Sequence, residues 1–424
     1  MLSTKPAADW ALDSEARAEG VAACFRETFG SEPELWARAP GRVDLMGSHT
    51  DYNLGFVLTL PISRDTWIAA RRRDDRTVRV HSMNVDAGDE FRLDGIESVS
   101  ESRWRNYVRG VAATLEGEGL ALTGCDAAIH STVPLESGLS SSAALECALA
   151  TMFAGLGGWS LTPERMALLC QKAENEFVGV KCGILDQYSS CLGREGCALL
   201  LDCRDLATRA VRVADGIRVV VCNTMSPRRL SGGEYARRRA ECEEGAARLG
   251  VSALRDVTPE MLAARRRELP ERVARRCDFI VAESGRAERL APALTLNDRE
   301  AAARLCAESF AGARDLYEIC SPAMAAMMEA MLAAPGVIGA RQAGAGFGGS
   351  MVALVDAAST DAFRTSVGDA YHSATRMVPE IYPVEAAQGA EVFDKEKINV
   401  ARALVRAMSA LLPTPAATGR SSVE

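Results

Sequence analysis

The sequence predicts a two-domain α+β protein, from its length and from the order of its apolar patterns. A chain of 424 residues exceeds one compact core, since single domains usually have about 100 to 200 residues. Strand-like segments fill much of residues 35–81, helix and strand then alternate, and long helices rich in Arg, Glu and Ala follow over 233–333. A break near 203–217 separates the two parts. We therefore predict domains at 1–210 and 211–424.

The elements as far as residue 223 follow from local periodicity and turn residues. Apolar residues at helical spacing predict a helix over residues 9–30. Thr162 and Pro163 predict the start of another helix, because Thr is a good N-cap and Pro fits the first helical turn. The predicted strands are 35–38, 55–60, 66–71, 77–81, 125–131, 198–202 and 218–223, and the further predicted helices are 141–156 and 163–177.

Helices dominate the second predicted domain. We predict helices over 233–249 and over much of 258–333, followed by a strand at 350–356 and a helix-like tail at 395–412. The Arg and Glu runs of these helices are interpreted as solvent-facing surfaces with (i, i+4) pairs, and no function is assigned to them. Two roles are open for the tail, a dimer contact or a cover for apolar surface.

Composition and charge exclude several classes of partner. The formal net charge of −8 and the pI of about 5.4 argue against nucleic acid, although a phosphate site needs only local positive potential. Thirteen cysteines without CxxC pairs indicate reduced thiols in a cytoplasm. The N-terminal segment lacks the apolar region of a secretory signal, and no apolar run approaches the roughly 20 residues of a membrane helix. We expect a soluble, cytoplasmic protein that binds neither nucleic acid nor membrane.

A first polar segment, APGRVDLMGSHTDYN at 39–53, is the most informative one in the chain. Several donors and acceptors interrupt an apolar run there, and such groups need partners. The hydroxyls of a sugar ring are one natural set of partners. A polar turn between two strands is the alternative, and the segment alone does not decide between them. Its polar residues are Arg42, Asp44, Ser48, His49 and Asp51.

A second segment, VPLESGLSSSAA at 133–144, precedes an apolar helix. Gly138 and three serines therefore lie where free backbone N–H groups and the positive end of the helix dipole stabilise an anion. Serine hydroxyls there can bind phosphate or Mg²⁺. Ordinary N-capping is the alternative, but one serine would explain it. No lysine follows in a GxxxxGK[ST] pattern, so this is not a Walker A loop.

A third segment, GARQAGAGFGGS at 339–350, contains GxGxxG at Gly344, Gly346 and Gly349. A dinucleotide-binding motif should follow a strand and open a helix. Here the following SMVALVD reads as a strand, which argues against that interpretation. Five glycines in so short a span still indicate that another group approaches the backbone closely.

Two carboxylates lie between the second and third segments. Glu174 falls at the edge of an apolar helix face, where it would be partly shielded and could bind a cation. Asp186 follows Gly183 and should occupy the first turn of a helix. Either alone is an ordinary helix carboxylate, because acidic residues favour first turns. Together with the triple-serine loop they predict a site.

In this order and at these separations, the three segments resemble the motifs of the GHMP kinase superfamily, and within it of the galactokinase family. The similarity extends over most of residues 36–393. It implies a two-domain GHMP kinase fold, with an N-terminal domain like domain 2 of ribosomal protein S5 and an α+β C-terminal domain. The active site would lie between them. The implied activity is ATP-dependent, Mg²⁺-assisted phosphorylation of the anomeric hydroxyl of a monosaccharide.

The resemblance also assigns roles to residues. Asp186 would accept the proton of the sugar hydroxyl or only orient that hydroxyl, and Arg42 would stabilise this aspartate and the developing charge. Ser142 and Glu174 would hold Mg²⁺, and Trp104 would lie near the adenine. The phosphates would be bound by Gly138, Leu139, Ser140, Ser141 and Ser142, with Gly346. The sugar would be contacted by Arg42, Asp44, Ser48, His49, Asp51, Gly183, Asp186 and Tyr235.

The sequence departs from the family pattern at two sugar positions. Ser48 stands where the family has a glutamate that contacts the C6 hydroxyl of galactose, and Asp44 stands where asparagine is usual. Galacturonokinases carry a small residue at the first position, and arabinokinases combine a small residue with an aspartate at the second. The HTDYN that follows is nevertheless of galactokinase type. In the phosphate loop, Glu136 replaces a frequent glycine, and we expect its side chain to face solvent.

The leading hypothesis is a 1-kinase of galactose or a close relative, acting on small-molecule sugar and ATP. L-arabinose or galacturonate 1-kinase activity is the alternative within the family. A mevalonate-pathway kinase or decarboxylase is less consistent with the HTDYN and Tyr235 segments. A non-catalytic sensor of ATP and sugar is less consistent with the presence of Asp186, Ser142 and Glu174. Monomer and homodimer both remain open.

Overall fold

The structure, a computed structural model, describes residues 14–135, 137–226 and 233–393. The predicted tail at 395–412 and Glu136 lie outside these ranges. The twelve described strands are β1 Leu35–Met46, β2 Phe56–Arg72, β3 Thr77–Ser82, β4 Ala87–Arg92, β5 Cys125–Ser131, β6 Cys197–Asp202, β7 Thr208–Arg212, β8 Ile217–Asn223, β9 Val337–Gln342, β10 Ser350–Asp356, β11 Glu380–Val384 and β12 Glu391–Phe393.

Helices make up most of the rest of the described chain. The α-helices are α1 Ser14–Phe29, α2 Arg103–Gly117, α3 Ser141–Gly157, α4 Pro163–Lys172, α5 Leu185–Leu192, α6 Glu234–Arg248, α7 Pro259–Arg265, α8 Glu271–Leu296, α9 Arg299–Asp315, α10 Pro322–Leu332 and α11 Thr360–Thr375. Thr162 caps α4 as predicted, because its side chain accepts the N–H of Arg165. None of the described helices is long and apolar enough to cross a membrane.

Two sheets organise the chain. The first has eight strands, with the path β12-β1-β2-β5-β3-β4, and β6 pairs with β2 while β7 pairs with β6. Its ladders are antiparallel except for β3 with β5. The second has four antiparallel strands in the order β11-β8-β10-β9. The predicted boundary at 210/211 falls inside β7, and β12 returns to the edge of the first sheet beside β1.

Alternation along the strands decides which helices cover each face. In the first sheet, Trp67 and Ala69 pack under α1, whereas Ile68, between them, packs against the cluster under α2 to α5. In the second sheet, Val220 faces α10 and α11, and Val219 faces a core that also holds residues of β1, β2, α8 and α9. The core that contains Val219 is shared by both sheets, so the two predicted domains are joined by continuous apolar packing.

The strand predictions differ from the structure in several places. The segments predicted as separate strands at 55–60 and 66–71 are one continuous strand, β2, which passes through the apparent turn residues Pro61 and Ser63. The first strand continues to Met46, so Arg42 and Asp44 lie on a strand and not in a bend. Strands β4, β7, β9, β11 and β12 were missed. Of these, β4, β7 and β11 each bury a single residue and show little apolar alternation.

Candidate active site

The three polar segments meet in the fold. The N–H of Arg42, on β1, donates to the carbonyl of Leu139 in the second segment at 3.1 Å. The N–H of Ser350, at the end of the third segment, donates to the carbonyl of Ser137 at 3.0 Å. A Cβ at Gly344 would lie 3.2 Å from the Gly138 carbonyl oxygen, so this turn packs directly on the second segment. The prediction that another group approaches these glycines closely is explained by this packing.

Arg42 contacts both Asp186, the candidate base, and the second segment, residues 133–144, which is called the phosphate loop below. Its Nε and Nη2 lie 2.8 Å and 2.5 Å from Asp186 Oδ1, and its Nη1 donates to the Gly138 carbonyl at 2.7 Å. Asp186 occupies the first turn of α5, as predicted. The guanidinium of Arg42 is buried, so its pair with Asp186 is largely shielded from water. The geometry places the Asp186 carboxylate beside the start of the phosphate loop.

The triple serine opens helix α3. Ser140 has the left-handed φ of +59° at the N-cap position, and its side chain makes no capping hydrogen bond. Its Oγ is buried without a hydrogen-bond partner among the described residues. Serine capping therefore does not explain this motif. The free N–H groups of the helix end and an unsatisfied hydroxyl are suited to oxygens of a phosphate.

Glu174 lies on a π-helical turn, Ala173–Val178, which replaces the last part of the α-helix predicted over 163–177. The carboxylate is buried and accepts hydrogen bonds from Tyr107 (3.1 Å), Cys182 (3.1 Å) and Gln187 (2.8 Å). The same Gln187 amide nitrogen donates to Glu146, a fully buried carboxylate of α3, at 3.0 Å. One amide therefore holds two acidic groups side by side.

These groups fit a cation. Burial raises the pKa of Glu174, and the nearby charge of Asp186 adds to this effect. A cation would offset the concentration of negative charge. Mg²⁺ uses one or two carboxylates and completes its shell with phosphate and water, so one carboxylate beside a phosphate site is a suitable kind of ligand set. Ser142 and Glu174 carry the kind of oxygen ligand that such an ion prefers, and their joint binding of Mg²⁺ stays a prediction.

Three further residues predicted to contact the sugar are Asp51, Gly183 and Tyr235. A Cβ at Gly183 would lie 1.7 Å from Asp51 Oδ2, so only glycine fits beside this carboxylate. Burial raises the pKa of Asp51 to about 6. The ring of Tyr235, on α6, lies 5.4 Å from the ring of His49. His49 and Asp51 of the first segment are thus brought together with Gly183 and Tyr235, which lie far from them in the sequence.

His49 connects the first segment to the third. Its Nε2 lies 2.9 Å from the carbonyl oxygen of Ala345, which can only accept, so Nε2 carries the proton. Its Nδ1 then accepts from the hydroxyl of Tyr52 at 2.8 Å, and that hydroxyl lies 2.8 Å from the one of Tyr317. Both ring nitrogens of His49 therefore bond to protein groups. In this arrangement His49 fixes the sugar segment, and its predicted contact with the sugar stays a prediction.

Sequence reasoning missed two residues that support the sugar segment, Glu283 on α8 and Arg341 on β9. Both are almost fully buried, with Arg341 Nη2 2.8 Å from Glu283 Oε1, so the interpretation of all Arg and Glu runs as solvent-facing was wrong. Glu283 accepts the N–H of Gly47, and Arg341 donates to Ser48 Oγ at 2.8 Å. One signal was available, since Glu283 lies on the apolar stripe of α8 with Phe279, Ile280, Ala287 and Leu290.

Two predicted ATP-binding residues, Trp104 and Gly346, remain to be located in the fold. Trp104 is half-buried in the first turn of α2 and packs against the apolar cluster under α2 to α5. Gly346 has a φ of +77°, and a Cβ there would lie 2.7 Å from the carbonyl of Ile319, so glycine is required. The roles of both toward ATP stay predictions.

Three family models match the chain. A galactokinase galactose-binding signature covers residues 23–72, a GHMP kinase N-terminal domain covers 106–194, and a GHMP kinase C-terminal domain covers 290–373. The first model contains the polar segment on β1, and the second contains the triple serine, Glu174 and Asp186. Both motif-bearing regions that sequence analysis singled out before residue 200 therefore fall inside matched families.

Known proteins agree with these matches. The galactokinase of Roseiflexus sp. (strain RS-1) is 44% identical over 370 residues, which cover 86% of this chain and 94% of that protein. The galactokinase of Streptomyces coelicolor (strain ATCC BAA-471 / A3(2) / M145) is 42% identical over 383 residues, 89% of this chain and 98% of that protein.

Solved structures agree as well. The crystal structure of Lactococcus lactis galactokinase complexed with galactose superposes with a TM-score of 0.85 at 32% identity, covering 88% of this chain and 99% of that one. The Methanococcus jannaschii mevalonate kinase, at 16% identity and a TM-score of 0.58 over 83% of this chain and 98% of that one, shares the fold alone. The predicted GHMP kinase fold is confirmed. The chain belongs to the galactokinase family, and it is a sugar kinase of the GHMP superfamily.

Proposed function

We propose that the protein transfers the γ-phosphoryl group of ATP to the C1 hydroxyl of galactose. The observation that carries this proposal is the position of Arg42, which bonds Asp186 on one side and the Gly138 carbonyl of the phosphate loop on the other. A sugar hydroxyl at Asp186 and a phosphate at the start of α3 would then be neighbours. Phosphoryl transfer requires mainly this positioning together with neutralisation of charge.

Each group has one task in the proposed reaction. Both contacts of Arg42 to Asp186 are made to Oδ1, so we assign Oδ2 to the sugar hydroxyl. As the C1 oxygen bonds to the γ-phosphorus, its proton passes to Asp186 and the bond from phosphorus to the β–γ bridging oxygen breaks, which releases ADP. Mg²⁺ held by Ser142 and Glu174 would neutralise charge on the phosphates. The helix-end amides and Arg42 stabilise the remaining charge in place of a P-loop lysine.

Galactose is the sugar supported by the relatives, which are named galactokinases at 42–44% identity. The observation that favours a second candidate, L-arabinose, is Ser48, which replaces the family glutamate that contacts the C6 hydroxyl, a group that L-arabinose lacks. We also propose a cytoplasmic location, because all thirteen cysteines are free thiols and suit a reducing compartment.

A direct assay tests the proposal. Purified full-length protein is incubated with ATP, MgCl₂ and one sugar at a time from galactose, L-arabinose, galacturonate and glucose, and the product is identified by ³¹P NMR as a 1-phosphate. We expect the highest kcat/KM with galactose. Asp186→Ala should lower kcat by at least about a thousandfold while nucleotide affinity changes by less than about threefold. Formation of no sugar phosphate by the wild type, or full turnover by Asp186→Ala, would contradict it.

A further inference from the structure

Asp44 is a buried carboxylate that sits beside the site without a complete set of partners. Only 2% of its surface is exposed. Its Oδ2 accepts the Ser48 hydroxyl at 2.9 Å, whereas its Oδ1 has no hydrogen-bond partner among the described residues. A buried carboxylate oxygen without a donor is costly, so such atoms usually mark an incomplete site.

The surrounding residues hold Asp44 firmly. Arg341 donates to the Asp44 carbonyl at 3.2 Å and to Ser48 Oγ, which leaves the single proton of Ser48 for Asp44 Oδ2 or the Gly344 carbonyl. The charged carboxylate is the stronger acceptor of the two. Glu283 is shared by Arg341 and Arg286, so the charge of Asp44 balances the positive charge that Glu283 leaves over. The negative charge of Asp44 is thus fixed in place, and no buried cation in this network is left for a second anion.

The strand geometry shows where Asp44 lies relative to the reacting end of the sugar. Arg42 and Asp44 are two residues apart on β1, in unbroken register with Pro61 and Thr59 of β2. They therefore share a face, about 7 Å apart along the strand. Arg42 is bonded to Asp186, which we assign to the C1 hydroxyl. A distance of about 7 Å along the strand is comparable to the length of a pyranose ring with its hydroxyls.

We propose that Asp44 is a specificity-determining residue, whose Oδ1 accepts a hydroxyl at the C4–C6 end of the sugar and whose charge excludes sugars with a carboxylate at that end. The inference rests on the proposed function, and it narrows the substrate class to neutral aldoses. A uronic acid would bring a second negative charge to a carboxylate whose cationic neighbours are already paired. Ser48 acts as a positioning residue, because it orients Oδ2 and so directs Oδ1 toward the ligand.

A protein-by-substrate cycle tests the proposal. Wild type and Asp44→Asn are compared with galactose, 2-deoxygalactose, 4-deoxygalactose, 6-deoxygalactose and galacturonate. We expect Asp44→Asn to lose at least about tenfold in kcat/KM with galactose and with 2-deoxygalactose, whose missing hydroxyl lies near C1. For one of the two analogues that lack a hydroxyl at the C4–C6 end, 4-deoxygalactose or 6-deoxygalactose, Asp44→Asn should lower kcat/KM by less than about threefold. The ratio of kcat/KM for galacturonate to kcat/KM for galactose should rise at least about tenfold in Asp44→Asn.

Other outcomes separate the two proposals. If wild type phosphorylates galactose but Asp44→Asn loses activity equally with all sugars, Asp44 is structural and this inference fails while the proposed function stands. If wild type phosphorylates no sugar, the proposed function fails. Ser309→Ala is the matched control, because Ser309 bonds Arg341 and Glu283 but not Asp44; it should lower stability and leave the sugar ratios unchanged. Should Asp44→Asn not fold, Ser48→Ala must show the same analogue pattern at about threefold, and a uniform change would overturn the inference.

Discussion

The two walls of the active site differ in how their polar groups are satisfied. The sugar wall, residues 42–53 with Glu283 and Arg341, is tied together by buried side-chain bonds. The phosphate wall, residues 137–142 with Gln342 and Ser350, instead contains buried polar atoms without partners among the described residues. These atoms are Ser140 Oγ, Gln342 Oε1 and Nε2, and Ser350 Oγ.

This difference teaches how each ligand is recognised. A sugar is distinguished from its analogues by single hydroxyls, so its wall must be rigid before binding, and a buried network of bonds provides that rigidity. A triphosphate brings many acceptor oxygens and its own cation, so its wall only has to offer amides, hydroxyls and space. Asp44 Oδ1 is an unsatisfied atom in the sugar wall, which is why we assign it to the ligand.

The largest effect is expected from breaking the sugar wall. Glu283→Gln leaves Arg341 and Arg286 without their buried anion, and should lower the free energy of unfolding by about 3–5 kcal/mol in urea titrations. The matched control is Glu243→Gln, which removes a surface (i, i+4) pair with Arg239 and should change stability by less than about 0.5 kcal/mol. Equal effects of the two substitutions would show that the wall is not held by this pair.

A change of pH should separate the sugar wall's role in binding from its effect on stability. Burial raises the pKa of Asp44 and of Asp51 to about 6, and the proposed role of both is to accept sugar hydroxyls as ionised carboxylates. kcat/KM for galactose should therefore fall about tenfold between pH 7 and pH 5 for each such group. A profile flat down to pH 5 would exclude this role.

Stability should change in the opposite direction. Because the folded state raises these two pKa values, it holds protons more tightly than the unfolded chain between about pH 4 and pH 6. Their contribution to stability is full below about pH 4 and is lost as pH rises through about 6. Asp44→Asn should flatten this decline in thermal unfolding of the sugar-free protein. An unchanged slope in that variant would show that Asp44 does not titrate in this range.

The smallest effect is expected in the phosphate wall. Ser140→Ala removes a hydroxyl without a protein partner, so it should leave stability unchanged and weaken binding of a non-hydrolysable ATP analogue about fivefold, about 1 kcal/mol. The control is Thr162→Ala, which removes a satisfied N-cap and should cost about 1 kcal/mol of stability without changing nucleotide affinity. Calorimetric titration and thermal unfolding measure both. A loss of stability in Ser140→Ala would remove the distinction between the walls.

Sequence reasoning worked best where local chemistry dictates structure. The N-cap at Thr162, the strand at 125–131 and the first-turn position of Asp186 were all correct. The first and the last depend on capping and on the helix dipole, which act within a few residues. Sequence reasoning failed at five strands, among them β4 and β7, whose edge positions depend on neighbouring strands. It also failed at the π-helical turn that holds Glu174, because no spacing of apolar residues in the sequence predicts such a turn.

The sequence by itself determined which chemical groups were available for a site, because the three motifs and the two carboxylates between the second and the third carry the arginine, serines and acids of phosphoryl transfer in a fixed order. Only the tertiary structure decided which of them act on ligands and which support others. Glu283 and Arg341 are separated by 58 residues yet form one buried pair under the sugar segment. Such a pair is stable only when packing removes both groups from water, and that is a property of the assembled fold.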